Sequence, residues 1–158
     1  ANRRSFDLAL EEEWNRARRA DIPLALIMLD VDHFKHFNDH YGHLAGDDCL
    51  RSLTQILLKE VRRSGELVAR YGGEEFVVLM PDSNAQAVLE AAQRIQRAVR
   101  VLGLIHSKTS PGIVTFSLGV ASLRPSLQHT PEDLVRQADL ALYRAKALGR
   151  DRIELASA

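Results

Sequence analysis

The sequence predicts an α/β (α+β) fold, a mixed central five-stranded sheet with flanking helices. Three observations carry this. Five segments of strand length are rich in apolar residues, and the longer stretches between them place apolar residues at helical spacing. Between two of the strands lies Tyr71-Gly72-Gly73-Glu74, a hairpin signal. The order strand, helix, helix, hairpin, helix, strand, helix, strand therefore departs from strict βαβ alternation. A mixed sheet with a central antiparallel hairpin follows.

Residues 5–19 carry Phe6, Ala9, Leu10 and Trp14 at helical spacing, with Ser5 as a plausible N-cap. Leu24 to Leu29 is an unbroken apolar run, suited to a strand buried on both faces, and it ends at Asp30. A short helix follows Asp32 and stops at Gly42. A longer one follows Gly46, with Leu50, Leu53, Ile56, Leu57 and Val61 on one stripe. Residues 67–70 and 76–80 read as the hairpin strands. Ser83 or Asn84 caps a helix running to about Leu102. A Gly, Ser and Pro loop spans 103–112, and a strand spans 113–123. Pro131 opens a helix that stops at Gly149, and 152–155 is a last short strand.

The 158 residues suit one domain, 1–158. Twenty-one basic and twenty-one acidic residues cancel, which argues against DNA as a partner and against direct membrane contact, though not against a local basic pocket. The single cysteine, Cys49, reads as a small buried hydrophobe that requires no oxidising compartment. No apolar run approaches membrane-spanning length, and the start has no signal-peptide pattern. A cytoplasmic domain is expected. Helical pattern begins almost at once after ANRRSF, as in a domain excised from a longer chain, and upstream segments could anchor that chain to a membrane.

Four stations carry chemistry. Asp30 sits where a buried strand leaves the core, pointing into the crevice where ligands bind α/β sheets. Asp32 reads as the N-cap of the next helix or, less favoured, as a metal ligand. Gly72 and Gly73 permit positive φ and close ligand approach, and the adjacent Glu74 and Glu75 call for a cation or a basic group. One strand-end Asp and one hairpin Glu fit magnesium, which takes one or two carboxylates plus phosphate oxygens. An acidic surface turn is the ordinary alternative. Lys146 and Arg150, four apart at the end of the last long helix, read as a phosphate clamp or as cations answering the helix dipole. The fourth station is Lys35, Asn38, His43 and Asp47, where an amide and a carboxylate can read guanine. Asp47 could instead cap the second helix, and His43 could simply pack the turn.

Together the strings MLDVDHFKHFNDHYGHLAGDDCL, RYGGEEFVVLMP, VTFSLGVA and ADLALYRAKALGRDR resemble the GGDEF family, the diguanylate cyclases, in its GGEEF form. The resemblance runs from NRRSF to the last strand. It implies a fold like the palm of nucleotide polymerases and adenylyl cyclases. It also implies an enzyme, a nucleotidyltransferase making cyclic di-GMP from two GTP with release of two pyrophosphates. Each domain would hold one GTP, two facing as a homodimer. Asp30, the Val31 carbonyl and Glu74 match the family's magnesium ligands, with manganese as an alternative ion. Glu74 matches the proton acceptor, and Glu75 is a second candidate. Asn38 and Asp47 match the guanine readers and His43 a further substrate position. Phe34, Lys35 and Gly73 lie along the nucleotide, and Lys146 and Arg150 match the triphosphate pair.

The resemblance further implies an inhibitory product site of Arg, two residues, then Asp. Here the stretch is Arg63-Ser64-Gly65-Glu66, with the acid one methylene longer, and Arg94 stands where a second arginine often serves the same ligand or is simply a solvated helix residue. The family's usual lead into Asn2-Arg3-Arg4 is missing, which implies a lost upstream sensor or dimerisation module. A rival reading is a degenerate domain that binds GTP or cyclic di-GMP without turnover; intact Asp30, Glu74, Glu75, Lys146 and Arg150 speak against it. A cyclase for mixed dinucleotides typically lacks an acid at the position of Asp47.

Overall fold

In the computed structural model, which describes residues 1–157, the order is α1 (Arg3–Ala20), β1 (Leu24–Val31), α2 (Phe34–Tyr41), α3 (His43–Glu60), β2 (Leu67–Arg70), β3 (Glu75–Pro81), α4 (Ala85–Leu102), β4 (Phe116–Leu123), α5 (Pro131–Ala147) and β5 (Ile153–Leu155). The five strands form one mixed sheet ordered β2-β3-β1-β4-β5. All neighbours are antiparallel except β4 and β5. The expected α+β class stands. The hairpin, however, lies at one edge, and β1 takes the centre.

That exchange follows from composition. All eight residues of β1 are buried, because alternate side chains enter two different cores. Ala25, Ile27, Leu29 and Val31 pack with residues of α2, α3 and α4. Leu24, Leu26 and Met28 pack with α1 and α5. Each large apolar side chain so buried contributes about 2 kcal/mol. The hairpin strand β2 is four residues long and only half buried, so it suits the edge.

Boundaries moved where local hydrogen bonds outcompete simple pattern. Helix α1 is capped by Asn2, whose side chain accepts from the Ser5 backbone N–H at 2.9 Å, so Ser5 is not the cap. Helix α3 starts at His43, because Gly42, at φ 92°, turns the chain sharply after α2. Gly46 and Asp47 therefore lie inside the helix, and Asp47 is not a cap. Strand β4 starts at Phe116 rather than Ile113, since Ile113 bridges back to Ile105 within its own loop. Pro131 does open α5, beside a Thr130–Asp133 capping box. Cys49 is buried, and burial pushes its thiol up to about 11. Among the described residues no helix is long and apolar enough to cross a membrane.

Helix α5 lies hard against β4 at Gly119. A Cβ there would fall 2.2 Å from the Leu142 nitrogen and 2.3 Å from the Ala138 oxygen, both backbone atoms. Gly119→Ala is therefore expected to destabilise the domain by about 3 kcal/mol or prevent folding. Gly73→Ala, with no atom within 4 Å of the new Cβ, should cost under about 0.5 kcal/mol. Denaturant midpoints at constant m-value check both.

Candidate active site

Strand β1 carries Asp30 to the end of the sheet with only 7% of its surface exposed. Its register partners are Glu75 on β3 and Ser117 on β4. A carboxylate so placed needs an answering charge. Lys146, in the last turn of α5, supplies it by donating from Nζ to Asp30 Oδ2. Asp30, Val31, Phe34, Lys35, Glu74, Lys146 and Arg150 all line one cavity of about 260 Å³, together with Asp32, His33 and His36.

The signature turn joins β2 to β3, as the hairpin signal predicted. Tyr71 and Gly72 both donate backbone N–H groups to the Glu75 carbonyl, at 2.8 and 3.3 Å. The Glu74 carbonyl accepts from the Val31 N–H at 3.2 Å, which ties the turn to the end of β1. Arg70 donates to the Gly73 carbonyl at 2.5 Å. The two glycines do not serve the expected handedness, since neither has positive φ. Gly73 leaves open space where a Cβ would stand, room for close ligand approach. Burial, and next the charge of Asp30, push the Glu75 carboxyl above its usual range, while Lys146 pulls it down.

Lys146 and Arg150 converge for a different reason than expected. They do not share a helix face, because α5 ends at Ala147 and Arg150 lies beyond it at φ 65°. Asp151, at φ 47°, is left-handed as well. Two consecutive non-glycine residues in that region cost about 1 kcal/mol or more each, so the surroundings must hold them.

Asp32 is one of the groups bonded to them, through the Asp151 backbone N–H. It is not the cap of α2. The residue at the N-cap of α2 is His33, left-handed and without a side-chain cap bond. Burial pushes the Asp32 carboxyl upward, and three donors oppose that shift. Ser117 Oγ donates at 2.5 Å, Thr115 Oγ1 at 2.6 Å, and the Asp151 backbone N–H at 3.0 Å. These partners were missed in the sequence. Two hydroxyls at alternate positions, Thr115 and Ser117, on a buried strand were the available signal.

The residues expected to read the base fall next door. Asp47 is exposed on α3 and lines a second cavity of about 260 Å³ with Leu50, Arg51, Thr54, Gln55 and Arg70. Asn38 lies over Gly46, where a Cβ would meet Asn38 Oδ1 at 1.8 Å, and that buried oxygen has no hydrogen-bond partner among the described residues. His43 is exposed in the first turn of α3 rather than packing a turn. Lys35 and Asn38 share α2 as expected.

The expected product site is closed on itself. Glu66, with 4% of its side chain exposed, accepts from the Arg63 backbone N–H at 3.1 Å, and its Oε2 lies 4.0 Å from Arg63 Nε. Arg94 lines a separate groove between α3 and α4, with Ile56, Lys59, Glu60 and Arg97.

The donors at the sheet end suit magnesium. Asp30, Glu74 and the Val31 carbonyl are all hard oxygen ligands. Glu75 stands beside them, its carboxyl pushed upward first by burial and next by the Asp30 charge. Among the described residues no three His, Cys, Asp or Glu side chains form a ready cage. Magnesium does not need one, since it completes its shell with phosphate oxygens and water.

The family model "Diguanylate cyclase, GGDEF domain" matches residues 1–152. Diguanylate cyclase DgcP of Pseudomonas aeruginosa is 40% identical over 155 residues, 98% of this chain and 22% of that protein. Probable diguanylate cyclase DgcC of Escherichia coli is 38% identical over 156 residues, 99% of this chain and 41% of that protein. The chain thus spans less than half of either relative. The crystal structure of the GGDEF domain of DgcB from Caulobacter crescentus in complex with c-di-GMP superposes with a TM-score of 0.90 at 33% identity, covering 100% of this chain and 89% of that one.

The raised Glu75 carboxyl gives a signed prediction. An acid whose folded-state pKa is raised holds stability below its unfolded value and loses it as pH rises through the folded value. In chelator-containing buffer, Glu75→Gln should melt higher than the wild type at pH 7. The gap should close as pH falls through the folded-state value toward the ordinary glutamate range. A gap independent of pH would exclude charge as its cause.

Proposed function

The chain belongs to the GGDEF family of diguanylate cyclase domains, and we propose on that premise that it condenses two GTP into cyclic di-GMP, releasing two pyrophosphates. The single observation supporting this is the convergence of Asp30, Glu74, Lys146 and Arg150 on one cavity from three separated parts of the chain. Two domains, each holding one GTP, would face each other, so the working unit is a homodimer.

Lys146 and Arg150 grip the β- and γ-phosphates as charge-assisted donors. Asn38 and Asp47 hold the guanine, the carboxylate accepting from N1–H and the 2-amino group. Phe34, Lys35 and Gly73 border the nucleotide, and His43 gives a further contact. The 3′-oxygen of one GTP bonds to the α-phosphorus of the other, and the bond to pyrophosphate breaks. The 3′-hydroxyl proton passes to Glu74 or Glu75. Burial and the Asp30 charge push the Glu75 carboxyl upward, the direction a proton acceptor needs. Asp30, the Val31 carbonyl and Glu74 would hold magnesium or manganese, which when bound supplies charge neutralisation of the phosphates and a lowered hydroxyl pKa.

Incubation with GTP and magnesium followed by chromatography is expected to yield cyclic di-GMP. Asp30→Ala and Glu74→Ala should each lower the rate more than about a hundredfold. Asp47→Ala should lower the preference for GTP over ATP by about tenfold or more. Gly46→Ala, which displaces the Asn38 amide, should do so in part. Binding of GTP without turnover by the wild type would favour a non-catalytic binding module. An unchanged base preference in Asp47→Ala would move guanine reading elsewhere.

Cyclic di-GMP is proposed to bind at Arg63 and Glu66 weakly or only with help from another protomer, with Arg94 as a contributor, because Glu66 must first leave its buried turn. In calorimetric titration Glu66→Asp should bind more tightly than the wild type, and Arg63→Ala more weakly. Tight binding that survives Arg63→Ala would place the product elsewhere.

A further inference from the structure

Asp32 takes no part in the chemistry above, yet it is among the most completely satisfied carboxylates in the protein. Only 5% of it is exposed. Its Oδ1 accepts from Ser117 Oγ, and its Oδ2 accepts from Thr115 Oγ1 and the Asp151 N–H. No ion pair reaches it among the described residues, so hydroxyls and one amide carry its whole charge. The amide belongs to the left-handed pair Arg150–Asp151. The same turn is gripped from α4, where Arg100 pairs with the Asp151 carboxylate at 2.9 Å. Gln96 adds a contact to the Asp151 carbonyl at 3.4 Å. The Arg150 N–H bonds back to the Ala145 carbonyl at 2.9 Å.

We propose, resting on the reading of the cavity as a triphosphate site, that Asp32 is a positioning residue. It fixes the Arg150–Asp151 turn to the start of β4 so that the Arg150 guanidinium stands in the cavity beside Lys146. Three points argue against a mere buried acid. The turn it holds is strained and lies directly beside a cavity-lining cation. Its other donors are Ser117 on β4, the strand that pairs with β1, and Thr115 just before it, so the turn is referenced to the element that carries Asp30. Arg100 neutralises Asp151, which would otherwise repel Asp32. Asp32 thus acts through Arg150, and it needs no contact with substrate or metal.

The test is a double-mutant cycle read by calorimetric binding of inorganic tripolyphosphate in the presence of magnesium, together with amide exchange at Asp151. Asp32→Asn should weaken tripolyphosphate binding about tenfold in the wild-type background. It should weaken it less than twofold in Arg150→Ala. It should also speed exchange of the Asp151 amide. Equal weakening in both backgrounds would show that Asp32 acts independently of Arg150 and overturn the assignment. So would an unchanged exchange rate at Asp151. Should Asp32→Asn not fold, Arg100→Ala replaces it, since Arg100 is nearly half exposed and outside the cavity. A loss of several fold that vanishes in Arg150→Ala supports the role, and no loss overturns it. Tripolyphosphate binding by the wild type that Arg150→Ala abolishes but Asp32→Asn leaves intact refutes the positioning role alone. No tripolyphosphate binding by the wild type refutes the triphosphate reading and the positioning role together.

Discussion

Everything in this structure is arranged around two carboxylates that leave the core on one strand. Strand β1 is buried throughout, and Asp30 and Asp32 are buried with it. Neither can rely on water, so each must recruit partners from elsewhere in the chain. Asp30 recruits charge, through Lys146. Asp32 recruits dipoles, through Thr115, Ser117 and the Asp151 amide. Meeting these two demands brings the end of α5, the turn after it and the start of β4 to one place.

The difference between the two acids matters chemically. A carboxylate answered by a mobile ammonium can exchange that partner for another cation, because the lysine can turn to a phosphate instead. A carboxylate answered by three fixed donors cannot do so cheaply. Asp30 is therefore the exchangeable site and Asp32 the fixed one, although only two residues separate them. Close backbone packing supports both: α5 reaches Asp30 only because Gly119 lets it lie against β4. Gly46 plays the parallel part on the other face, where the missing Cβ gives the Asn38 amide its place over α3.

Much of the fold was legible from periodicity. The unbroken apolar run 24–29 announced a doubly covered strand, and the Tyr71–Glu74 turn announced the β2–β3 hairpin. The position of that hairpin at an edge was not legible, because pairing between strands depends on which faces the helices cover. Boundaries shifted where a side chain or a turn satisfied backbone groups early, as Asn2 does for α1 and Gly42 for α3. The glycines of the signature turn have ordinary φ, so handedness is not what they provide, and at Gly73 the space where a Cβ would stand is open.

The sequence by itself determined the fold class, the strand buried on both faces and the family, because these follow from the spacing of residue types along the chain. It also named Asp30, Glu74, Lys146 and Arg150. Only the tertiary structure decided how they meet. Arg150 reaches the cavity from a left-handed turn rather than from a helix face, and Asp32 serves that turn rather than capping the helix after it. The reason is physical. The partners of a buried carboxylate are chosen by which donors fold within about 3 Å of it, and those donors lie some eighty to one hundred and twenty residues away along the chain.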